Sequence, residues 1–331
     1  MKNIKVAING FGRIGRVFTR AVLETQGIEI VAINDLVDPN TLAHLMQYDS
    51  VHGKYQHKVS VVNNEMVINN NSIKVFSERN PEDLPWGDLN IDIVVESTGI
   101  FRSVDTASKH INAGANKVII SAPATDAAVK TIVLGINDSD LKPDDLIVSN
   151  ASCTTNCVAP MVKIVDELCG ISEGFITTTH AYTGDQNIHD APHKDLRRTR
   201  AAAQNIIPTS TGAAKAIGKI FPELNGKLEG IGIRVPVVDG SMTDLICKVD
   251  KPISADDLRK VFSKSSSTEL KGILAYTEDP IVSVDVIGDP HSCIIDGKLI
   301  TVIGDLVRVI GSYDNEAGYS NRLVDLIRKM A

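Results

Sequence analysis

The glycine pattern Gly10-x-Gly12-x-x-Gly15 constrains the fold of this chain more than any other sequence feature. A short β-type run, residues 4–8, leads into it, and a helical pattern of apolar residues follows it. In such a turn Gly10 permits the tight bend, Gly12 lets a pyrophosphate approach the backbone, and Gly15 lets the helix pack closely on the strand. The pattern therefore predicts a strand, a turn and a helix that together bind a dinucleotide.

An acidic residue stands where a dinucleotide-binding turn requires one. A second β-type run, residues 28–33, is followed by Asp35, which lies about 20 residues beyond Gly15, where a carboxylate binds the adenosine ribose hydroxyls. Structural glycines in an ordinary turn are the alternative for the glycine pattern taken alone. The two strands, the helix and the acid together favour the dinucleotide site.

Alternating strand and helix patterns continue through the first half of the chain. They predict an α/β fold with an N-terminal Rossmann doubly wound, mostly parallel sheet. Ligands bind at the carboxyl ends of the strands in such a sheet. The further elements expected are strands at residues 91–97, 117–121 and 146–148, a helix at 103–112, and an antiparallel excursion from the sheet, with strands at 59–62 and 66–68 flanking a turn at Asn63-Asn64.

The segment around Cys153 carries the candidate nucleophile. A predicted strand runs into it and a helical pattern leaves it, with Ser152 as a cap and Cys153 in the first turn. The positive end of the helix dipole and the unpaired backbone N–H groups there favour a thiolate and can hold an anion. The preceding strand belongs to the predicted sheet, so we expect Cys153 near the bound dinucleotide. Cys157, one turn further on, is expected to fill core as a buried thiol.

The strand patterns in the second half of the chain differ from those in the first half. Several strand patterns alternate between apolar and polar residues, which indicates a sheet with one solvated face. We therefore predict a second, α+β domain on an antiparallel sheet. Its expected elements are strands at residues 175–180, 228–235, 245–249, 282–287 and 307–310, and helices at 213–221, 255–262 (capped by Ser254) and 321–329.

His180 is the best catalytic candidate among eight histidines. It ends a predicted strand, and imidazole titrates in the range that a thiol's base needs. Spacing alone does not establish that it pairs with Cys153. The long polar segment that follows it indicates a functional loop or an interface. A metal site at His189 and His193 is disfavoured because no further ligands converge on them in the sequence.

Length and composition exclude several classes of protein. A chain of 331 residues suggests about two domains, and the net charge of −7 argues against a nucleic-acid binder. No apolar run approaches the ~18 residues of a membrane span, and the N-terminus lacks a signal peptide's apolar region. An odd number of cysteines, five, suits free thiols in a reducing compartment. These features predict a cytoplasmic protein with no membrane partner.

A set of motifs spread along the whole chain resembles the phosphorylating glyceraldehyde-3-phosphate dehydrogenases. The block around Cys153 is highly specific to that family and its close relatives. The motifs are Asn9-Gly-Phe-Gly-Arg-Ile-Gly-Arg16, Ser149-Asn-Ala-Ser-Cys-Thr-Thr-Asn156, His180-Ala-Tyr-Thr183, Asp195-Leu-Arg-Arg198, Pro208-Thr-Ser-Thr-Gly-Ala-Ala-Lys215, Arg234-Val-Pro236 and Tyr313-Asp-Asn-Glu316.

The resemblance implies a mechanism. The Cys153 thiolate would attack the aldehyde of glyceraldehyde 3-phosphate with His180 as base, NAD would oxidise the adduct to a thioester, and inorganic phosphate would release 1,3-bisphosphoglycerate. It implies no metal. The residues carried over are Thr183 and Arg234 for the substrate phosphate, Ser152, Thr154, Thr211 and Gly212 for the attacking phosphate with Arg198 nearby, and Gly10, Gly12, Arg13, Ile14, Gly15, Asp35, Arg79, Ser121 and Asn315 for NAD.

The same resemblance implies how the chain is divided and assembled. We expect an NAD-binding Rossmann domain at residues 1–151, completed by a C-terminal helix at 315–331, and a catalytic domain at 152–314. The polar segment after His180 would pack near a neighbouring subunit's cofactor, which implies a homotetramer.

Two residues depart from the family pattern. Ala317 stands where family members commonly have tryptophan, and Ala191 stands where many NAD-preferring members have leucine. A small residue at 191 resembles forms that accept a 2′-phosphate, whereas the Asp35 carboxylate would repel one. We predict NAD, with NADP as a possible secondary cofactor.

Two other functions compete with this interpretation. One is a sister dehydrogenase that acts on erythrose 4-phosphate, although the motifs at His180 and Thr209 favour the glyceraldehyde form. The other is a catalytically silent thiol sensor or binding protein, which would need a broken set of site residues. Phosphate-dependent turnover distinguishes all three.

Overall fold

The chain divides into two units in the computed structural model, which describes residues 3–331. The first unit contains the residues up to Ile132 together with Asp140–Ala151 and Ser320–Ala331. The second contains Val133–Ser139 and Ser152–Tyr319. No helix within residues 3–331 is long and apolar enough to cross a lipid bilayer.

The strands of the first unit are β1 (Ile4–Asn9), β2 (Ile28–Asn34), β3 (Tyr48–Asp49), β4 (Gly53–Lys54), β5 (Val59–Val62), β6 (Glu65–Ile68), β7 (Asn71–Phe76), β8 (Ile93–Glu96), β9 (Lys117–Ile120), β10 (Lys130–Thr131) and β11 (Ile147–Ser149). Apart from β3 and β4, which pair with each other, they form one sheet in the order β10-β11-β9-β8-β1-β2-β7-β6-β5. Only β6 runs in the opposite direction to the other strands of this sheet. The predicted doubly wound parallel sheet is confirmed. The order in which the chain adds strands reverses at β1, which lies between β2 and β8.

The predicted hairpin around Asn63 and Asn64 is present. Both residues have left-handed backbones, with φ of 51° and 62°, as the two central residues of a tight hairpin turn require. The expectation that this hairpin leaves the sheet is wrong. Strand β6 pairs with β7, and β7 pairs in parallel with β2, so the hairpin extends the edge of the same sheet.

Two helices of the first unit begin at residues whose side chains cap them. The Asp38 carboxylate accepts from the backbone N–H groups of Asn40 and Thr41, and Ser103 Oγ accepts from the Thr106 N–H at the start of the helix expected at 103–112. The α-helices are α1 (Arg13–Leu23), α2 (Pro39–Gln47), α3 (Trp86–Leu89) and α4 (Val104–Asn112), with short 3₁₀ turns at Pro81–Asp83 and Asp138–Asp140.

A buried polar network fixes the carboxyl ends of β1 and β8. Trp86 Nε1 donates to His110 Nδ1 at 3.1 Å, and His110 Nε2 lies 3.0 Å from the Glu96 carboxylate. The same carboxylate accepts from Asn9 Nδ2 at 2.6 Å and from the Thr98 N–H at 2.8 Å. Because a buried carboxylate without partners costs free energy, these bonds hold the two strand ends in one geometry.

The second unit contains β12 (Ile171–Ala181), β13 (Ile207–Ser210), β14 (Leu228–Val235), β15 (Ser241–Val249), β16 (Leu274–Thr277), β17 (Cys293–Asp296), β18 (Thr301–Ile303) and β19 (Leu306–Tyr313). Their sheet has the order β13-β14-β12-β15-β19-β17-β16, with β18 paired to β19. The pairs β12–β14 and β16–β17 are parallel and the others antiparallel, which confirms the α+β class. The helices of the second unit are α5 (Cys153–Cys169), α6 (Ala213–Ile220) and α7 (Ala255–Ser267), with 3₁₀ turns at Leu196–Thr199, Pro222–Leu224, Ser283–Val286 and Gly297–Leu299. The last helix, α8 (Ala317–Met330), belongs to the first unit from Ser320 onward.

Helix α5 is buried along the apolar stripe that the sequence predicted. Val158, Met161, Val162 and Val165 are fully buried, and the helix lies against β15, β19 and α6. The packing of the helix body therefore holds its first turn in place.

The strand predicted at residues 282–287 is wrong, because a 3₁₀ turn spans Ser283–Val286. The Asp285 carboxylate accepts from the Val282 N–H at 2.8 Å and closes the turn. Val282 and Val284 are exposed and only Val286 is buried, so the apolar alternation does not line a sheet face. The sequence analysis also missed β13, β16, β17 and β18.

The division into units differs from the predicted domain limits in two short segments. Residues 133–139 belong to the second unit, where Lys163 Nζ donates to the Gly135 carbonyl at 3.3 Å. Residues 315–319 also belong there, since Ser241 Oγ donates to Asn315 Oδ1 at 2.6 Å. Hydrogen bonds of this kind are invisible in a sequence pattern.

Candidate active site

Cys153 is the first residue of α5. Ser152 caps the helix through its hydroxyl, which accepts from the Thr155 N–H at 3.1 Å. Ala151 before it has a left-handed backbone, with φ of 57°, which costs a non-glycine residue about 1 kcal/mol. The strained residue and the cap together fix the direction from which the chain enters the helix, and so fix Cys153.

The Cys153 thiol lies beside His180. Its Sγ is 3.3 Å from His180 Nε2. His180 stands one residue before the end of β12, where the parallel pairing with β14 sets it opposite Arg234. Its Nδ1 lies 2.7 Å from the Ala181 carbonyl oxygen and 2.7 Å from Arg234 Nη1, which also donates to that carbonyl at 2.8 Å. The imidazole is therefore held on one side and faces the thiol on the other.

Burial disfavours the charged form of both members of this pair. Burial raises the pKa of the Cys153 thiol to about 11, although the Arg234 charge and hydrogen bonds with Thr154 act in the opposite direction. Burial and then the Arg234 charge lower the pKa of His180 to about 3. Both pKa shifts favour a neutral thiol beside a neutral imidazole in the free protein. A proton can then pass from the thiol to the imidazole during the reaction.

Tyr313 contacts both the first turn of α5 and His180. Its hydroxyl lies 3.0 Å from the hydroxyls of both Thr154 and Thr178, and its ring meets the His180 ring edge-on at a centroid distance of 6.1 Å. Burial raises the pKa of Tyr313 well above its usual value, so the phenol stays protonated. The residue ties the first turn of α5 to the strand that carries His180.

A second polar cluster surrounds Arg198. The guanidinium donates to the Asp185 carboxylate at 2.6 Å and to Thr209 Oγ1 at 2.9 Å, and Thr209 donates to Asp195 at 2.7 Å. Thr183 Oγ1 donates to Asp185 as well. Burial pushes the pKa of Asp185 upward, but the Thr183 hydrogen bond and the arginine charges outweigh it, and the net pKa is lowered. An ionised Asp185 thus occupies Arg198 and Thr183 in the free protein.

The residues expected to hold the attacking phosphate lie at two helix starts. Ser152 and Thr154 belong to the start of α5, and Thr211 and Gly212 to the start of α6. Gly212 offers no side-chain cap, and a Cβ placed there would meet nothing within 4 Å. The start of α6 therefore has open space for an anion next to its backbone N–H groups.

The glycine turn of the first unit has the geometry that a dinucleotide needs. Gly10 has φ of 94°, and a Cβ there would lie 2.7 Å from the Thr98 nitrogen. A Cβ at Gly15 would lie 2.4 Å from the Gly10 carbonyl oxygen. At Gly12, by contrast, a Cβ would meet nothing within 4 Å, so this position is open toward a ligand. Gly10 and Gly15 have the tight turn and the close packing predicted for them, and a pyrophosphate at Gly12 stays a prediction.

The remaining residues expected at the cofactor differ in their surroundings. Asp35 accepts from the Phe11 N–H at 2.7 Å, which joins the carboxyl ends of β1 and β2. Arg13 donates to Asp49 at 2.6 Å, Ser121 follows β9, and Arg79 is exposed. Ile14 is partly buried in the first turn of α1. Asn315 lies in the second unit, bonded to Ser241, and the expected proximity of Cys153 to a dinucleotide stays a prediction.

Three residues around the site escaped the sequence analysis as site residues. Asp185 was noted only as part of a charged segment, and Tyr313 only as part of a motif. Ser241 gave no signal at all, although its hydroxyl joins Asn315 to the backbone N–H of Ala181, next to His180. Tyr313 and Ser241 act through hydrogen bonds between residues far apart in sequence, and Asp185 acts through its bond with Arg198.

Comparison with known proteins decides the family. A family model described as the NAD binding domain of glyceraldehyde 3-phosphate dehydrogenase matches residues 4–104, and one described as the C-terminal domain of the same enzyme matches residues 152–315. The chain belongs to the glyceraldehyde-3-phosphate dehydrogenase family. The resemblance stated from the motifs is confirmed.

Curated relatives of the glyceraldehyde-3-phosphate dehydrogenase family match nearly the whole chain. Glyceraldehyde-3-phosphate dehydrogenase 2 of Streptomyces avermitilis is 57% identical over 327 residues, which cover 98% of this chain and 97% of the relative. The glyceraldehyde-3-phosphate dehydrogenase of Streptomyces coelicolor is 56% identical over 328 residues, with the same shares covered. That of Mycobacterium avium is 53% identical over 331 residues, again with 98% and 97% covered.

The neutrality of His180 predicts a specific acid sensitivity. The pKa is about 3 in the folded chain against 6.5 for a free histidine, so below pH 6.5 the unfolded chain binds a proton that the folded chain does not. Stability from this residue is complete above pH 6.5 and falls by up to about 1.4 kcal/mol per pH unit toward pH 3. His180→Gln should flatten the dependence of Tm on pH in that window.

The exposed His189 provides the matched control. His189→Gln should follow the wild-type curve of Tm against pH. Parallel curves for wild type and His180→Gln would show that His180 is not held neutral by the fold.

Proposed function

We propose that this chain oxidises glyceraldehyde 3-phosphate with NAD and inorganic phosphate to 1,3-bisphosphoglycerate, through a thioester on Cys153. The observation that carries the proposal is the contact of 3.3 Å between the Cys153 thiol and an imidazole whose other nitrogen lies 2.7 Å from the Ala181 carbonyl oxygen. A nucleophile, a base and an oriented base are the three parts that thiol catalysis requires.

The thiol is activated as it attacks. The tautomer in which Nδ1–H donates to the Ala181 carbonyl leaves the Nε2 lone pair facing Cys153, so His180 can accept the thiol proton. The Arg234 charge opposes protonation of His180 in the free protein. A substrate phosphate bound to Arg234 and Thr183 would offset that charge and raise the pKa of His180. The same change would also raise the pKa of the Cys153 thiol, because the Arg234 charge lowers that pKa as well.

His180 then serves the covalent adduct. Attack of Cys153 on the aldehyde carbon gives a thiohemiacetal whose oxyanion receives a proton from His180 and a hydrogen bond from the backbone N–H of Cys153. The same imidazole takes the hydroxyl proton back when the adduct is oxidised to the thioester. When bound, NAD supplies the acceptor for the hydride. The imidazole therefore moves one proton twice, which its single free nitrogen allows.

The attacking phosphate would bind at the open start of α6. Thr211 and Gly212 lie there, and Ser152 and Thr154 at the start of α5 complete the set carried over for this anion. Arg198 is paired with Asp185 in the free protein, and an arriving phosphate would compete with that carboxylate for the guanidinium. Helix starts, hydroxyls and an arginine are the groups that hold phosphate.

The first unit would hold NAD as an NAD-binding domain, and the second would hold the substrate as the catalytic domain. The open cradle at Gly12 would take the pyrophosphate, with Arg13 and Ile14 in the first turn of α1. Asp35 would bind the ribose hydroxyls and would disfavour the 2′-phosphate of NADP, which leaves NADP at most a secondary cofactor. The remaining cofactor residues proposed are Gly10, Gly15, Arg79, Ser121 and Asn315.

A homotetramer is part of the proposal. The outward face of the sheet in the second unit is apolar at Phe175 (67% exposed), Ile231 (51%) and Ile246 (40%), and Phe175 stands opposite Ile246 on neighbouring strands. Such a patch on a sheet face is typical of a protein–protein interface. A species of one chain in sedimentation would contradict this assembly.

We also propose a cytoplasmic location. All five cysteines are free thiols in the structure, as a reducing compartment requires. A disulfide in protein taken directly from cells would argue against it.

The phosphate dependence of NADH formation tests the proposal. Wild type should turn over glyceraldehyde 3-phosphate with NAD rapidly only when inorganic phosphate is present. Cys153→Ser should lower kcat/KM at least about a thousandfold, because the hydroxyl is a far weaker nucleophile. Cys157→Ser, which changes a buried thiol one helical turn away, is the matched control and should stay within severalfold of wild type.

The competing functions predict other outcomes. Turnover that ignores phosphate, or that prefers erythrose 4-phosphate, would support the sister dehydrogenase. Absence of turnover in wild type with an intact thiol would support the silent sensor.

A further inference from the structure

A connected set of buried polar side chains crosses the carboxyl ends of four neighbouring strands, β8, β1, β2 and β7. Glu96 ends β8, Asn9 ends β1 and Asn34 ends β2. Asn34 Nδ2 donates to Asn9 Oδ1 at 2.8 Å and to the carbonyl of Glu78, just beyond β7, at 2.9 Å. The Glu78 N–H donates back to Asn34 Oδ1 at 2.8 Å. Because Asn9 also donates to Glu96, this carboxylate is connected to all four strand ends.

Three members of the network directly precede a residue proposed for NAD. The pairs are Asn9 with Gly10, Asn34 with Asp35, and Glu78 with Arg79. The network therefore fixes the backbone from which these cofactor groups project. Side chains that hold a binding group in place set its affinity even when they do not touch the ligand.

Glu96 also holds the loop that packs against the glycine turn. The backbone N–H and the hydroxyl of Thr98 both donate to Glu96 Oε1. A Cβ added at Gly10 would lie 2.7 Å from the Thr98 nitrogen, so the Thr98 peptide lies directly on the turn. Because packed groups transmit displacements, a shift of Thr98 would shift the turn that is proposed to hold the pyrophosphate.

The donors and acceptors of the network are arranged in one direction. The indole N–H of Trp86 can only donate, so His110 Nδ1 accepts from it and the imidazole proton lies on Nε2. His110 Nε2 and Asn9 Nδ2 then both donate to Glu96 Oε2, at 3.0 Å and 2.6 Å. With the two donations from Thr98, the carboxylate accepts four hydrogen bonds. An ionised carboxylate supplies that number of acceptor positions.

An amide at position 96 would break this pattern although it has nearly the shape of the carboxylate. Whichever way the amide of a glutamine is turned, its NH₂ group faces two of the four donors. Asn9 cannot turn its own amide to accept, because Asn34 donates to Asn9 Oδ1 and is itself held by two bonds to the Glu78 backbone. The substitution Glu96→Gln therefore perturbs the hydrogen bonds and leaves the packing volume unchanged.

We propose that Glu96 is a positioning residue for NAD, which holds the adenosine diphosphate half of the cofactor site through Asn9 and Thr98. Glu96 is only 1% exposed and acts through these neighbours. The inference deepens the proposed NAD site and rests on it. Because the network reaches the groups proposed for the adenosine half, its effect falls on cofactor affinity and not on the chemistry of the thiol.

Calorimetric titration of ADP-ribose, which is NAD without its nicotinamide, into nucleotide-free protein tests the proposal. Glu96→Gln should weaken the binding of ADP-ribose and of NAD by the same factor, about tenfold, because buried donors lose their acceptor. Its kcat at saturating NAD should stay within about twofold of wild type. Glu29→Gln, the same change at an exposed position of β2, is the matched control and should bind both ligands as wild type does.

Two variants at Thr98 keep the proposal testable if Glu96→Gln does not fold. Thr98→Val removes the hydroxyl that donates to Glu96 and should weaken the binding of ADP-ribose about threefold. Thr98→Ser keeps the hydroxyl and should bind as wild type does. Equal affinities in Thr98→Val and Thr98→Ser would overturn the proposal.

Wild-type affinity for ADP-ribose in folded Glu96→Gln would also overturn it, as would a lower Tm or kcat with no change in affinity, which a purely structural role predicts. Failure of wild type itself to bind ADP-ribose would instead contradict the proposed NAD site, and with it this inference. The two failures are therefore distinguishable.

Discussion

The parallel pairing of β12 with β14 is the constraint on which the candidate active site depends. It sets His180 opposite Arg234, and from there the guanidinium contacts both the imidazole and the carbonyl that orients it. The Arg234 charge lowers the pKa of the Cys153 thiol and that of His180 together. One cation therefore favours the thiolate and opposes the protonated base. An anionic substrate bound at Arg234 would offset the arginine charge and so raise the pKa of both groups.

The rest of the second unit holds this arrangement without adding charge to it. Tyr313 joins the start of α5 to β12 through two threonine hydroxyls, and the Ser152 hydroxyl caps the helix. Asp185 keeps Arg198 occupied in the free protein. Hydrogen bonds therefore hold the residues around the thiol in place. The Asp185 carboxylate neutralises Arg198 until a phosphate replaces it.

Local patterns predicted the fold where the chain's own residues decide it. The glycines at 10, 12 and 15, the cap at Ser152 and the asparagine pair at 63–64 act within a few residues, and each is in the expected place. The strand expected at 282–287 failed because the Asp285 carboxylate closes a turn that apolar alternation cannot reveal. Cys153 and His180 were named from their surroundings in the sequence, whereas their pairing was implied only by the family resemblance. Tyr313 and Ser241 depend on pairing between distant strands, and Asp185 on a hydrogen bond with Arg198 within one long loop. A single sequence does not encode either in any readable pattern.

Mass spectrometry of the trapped intermediate tests the central claim most directly. The protein would be mixed with glyceraldehyde 3-phosphate and NAD in the absence of inorganic phosphate, quenched in acid and digested. We expect a 3-phosphoglyceroyl (acyl) group on the peptide that contains Cys153, assigned by fragmentation to Cys153 rather than Cys157. This acyl group should be absent when phosphate is added before the quench. No acyl group on Cys153, or an acyl group that phosphate does not remove, would contradict the thioester route.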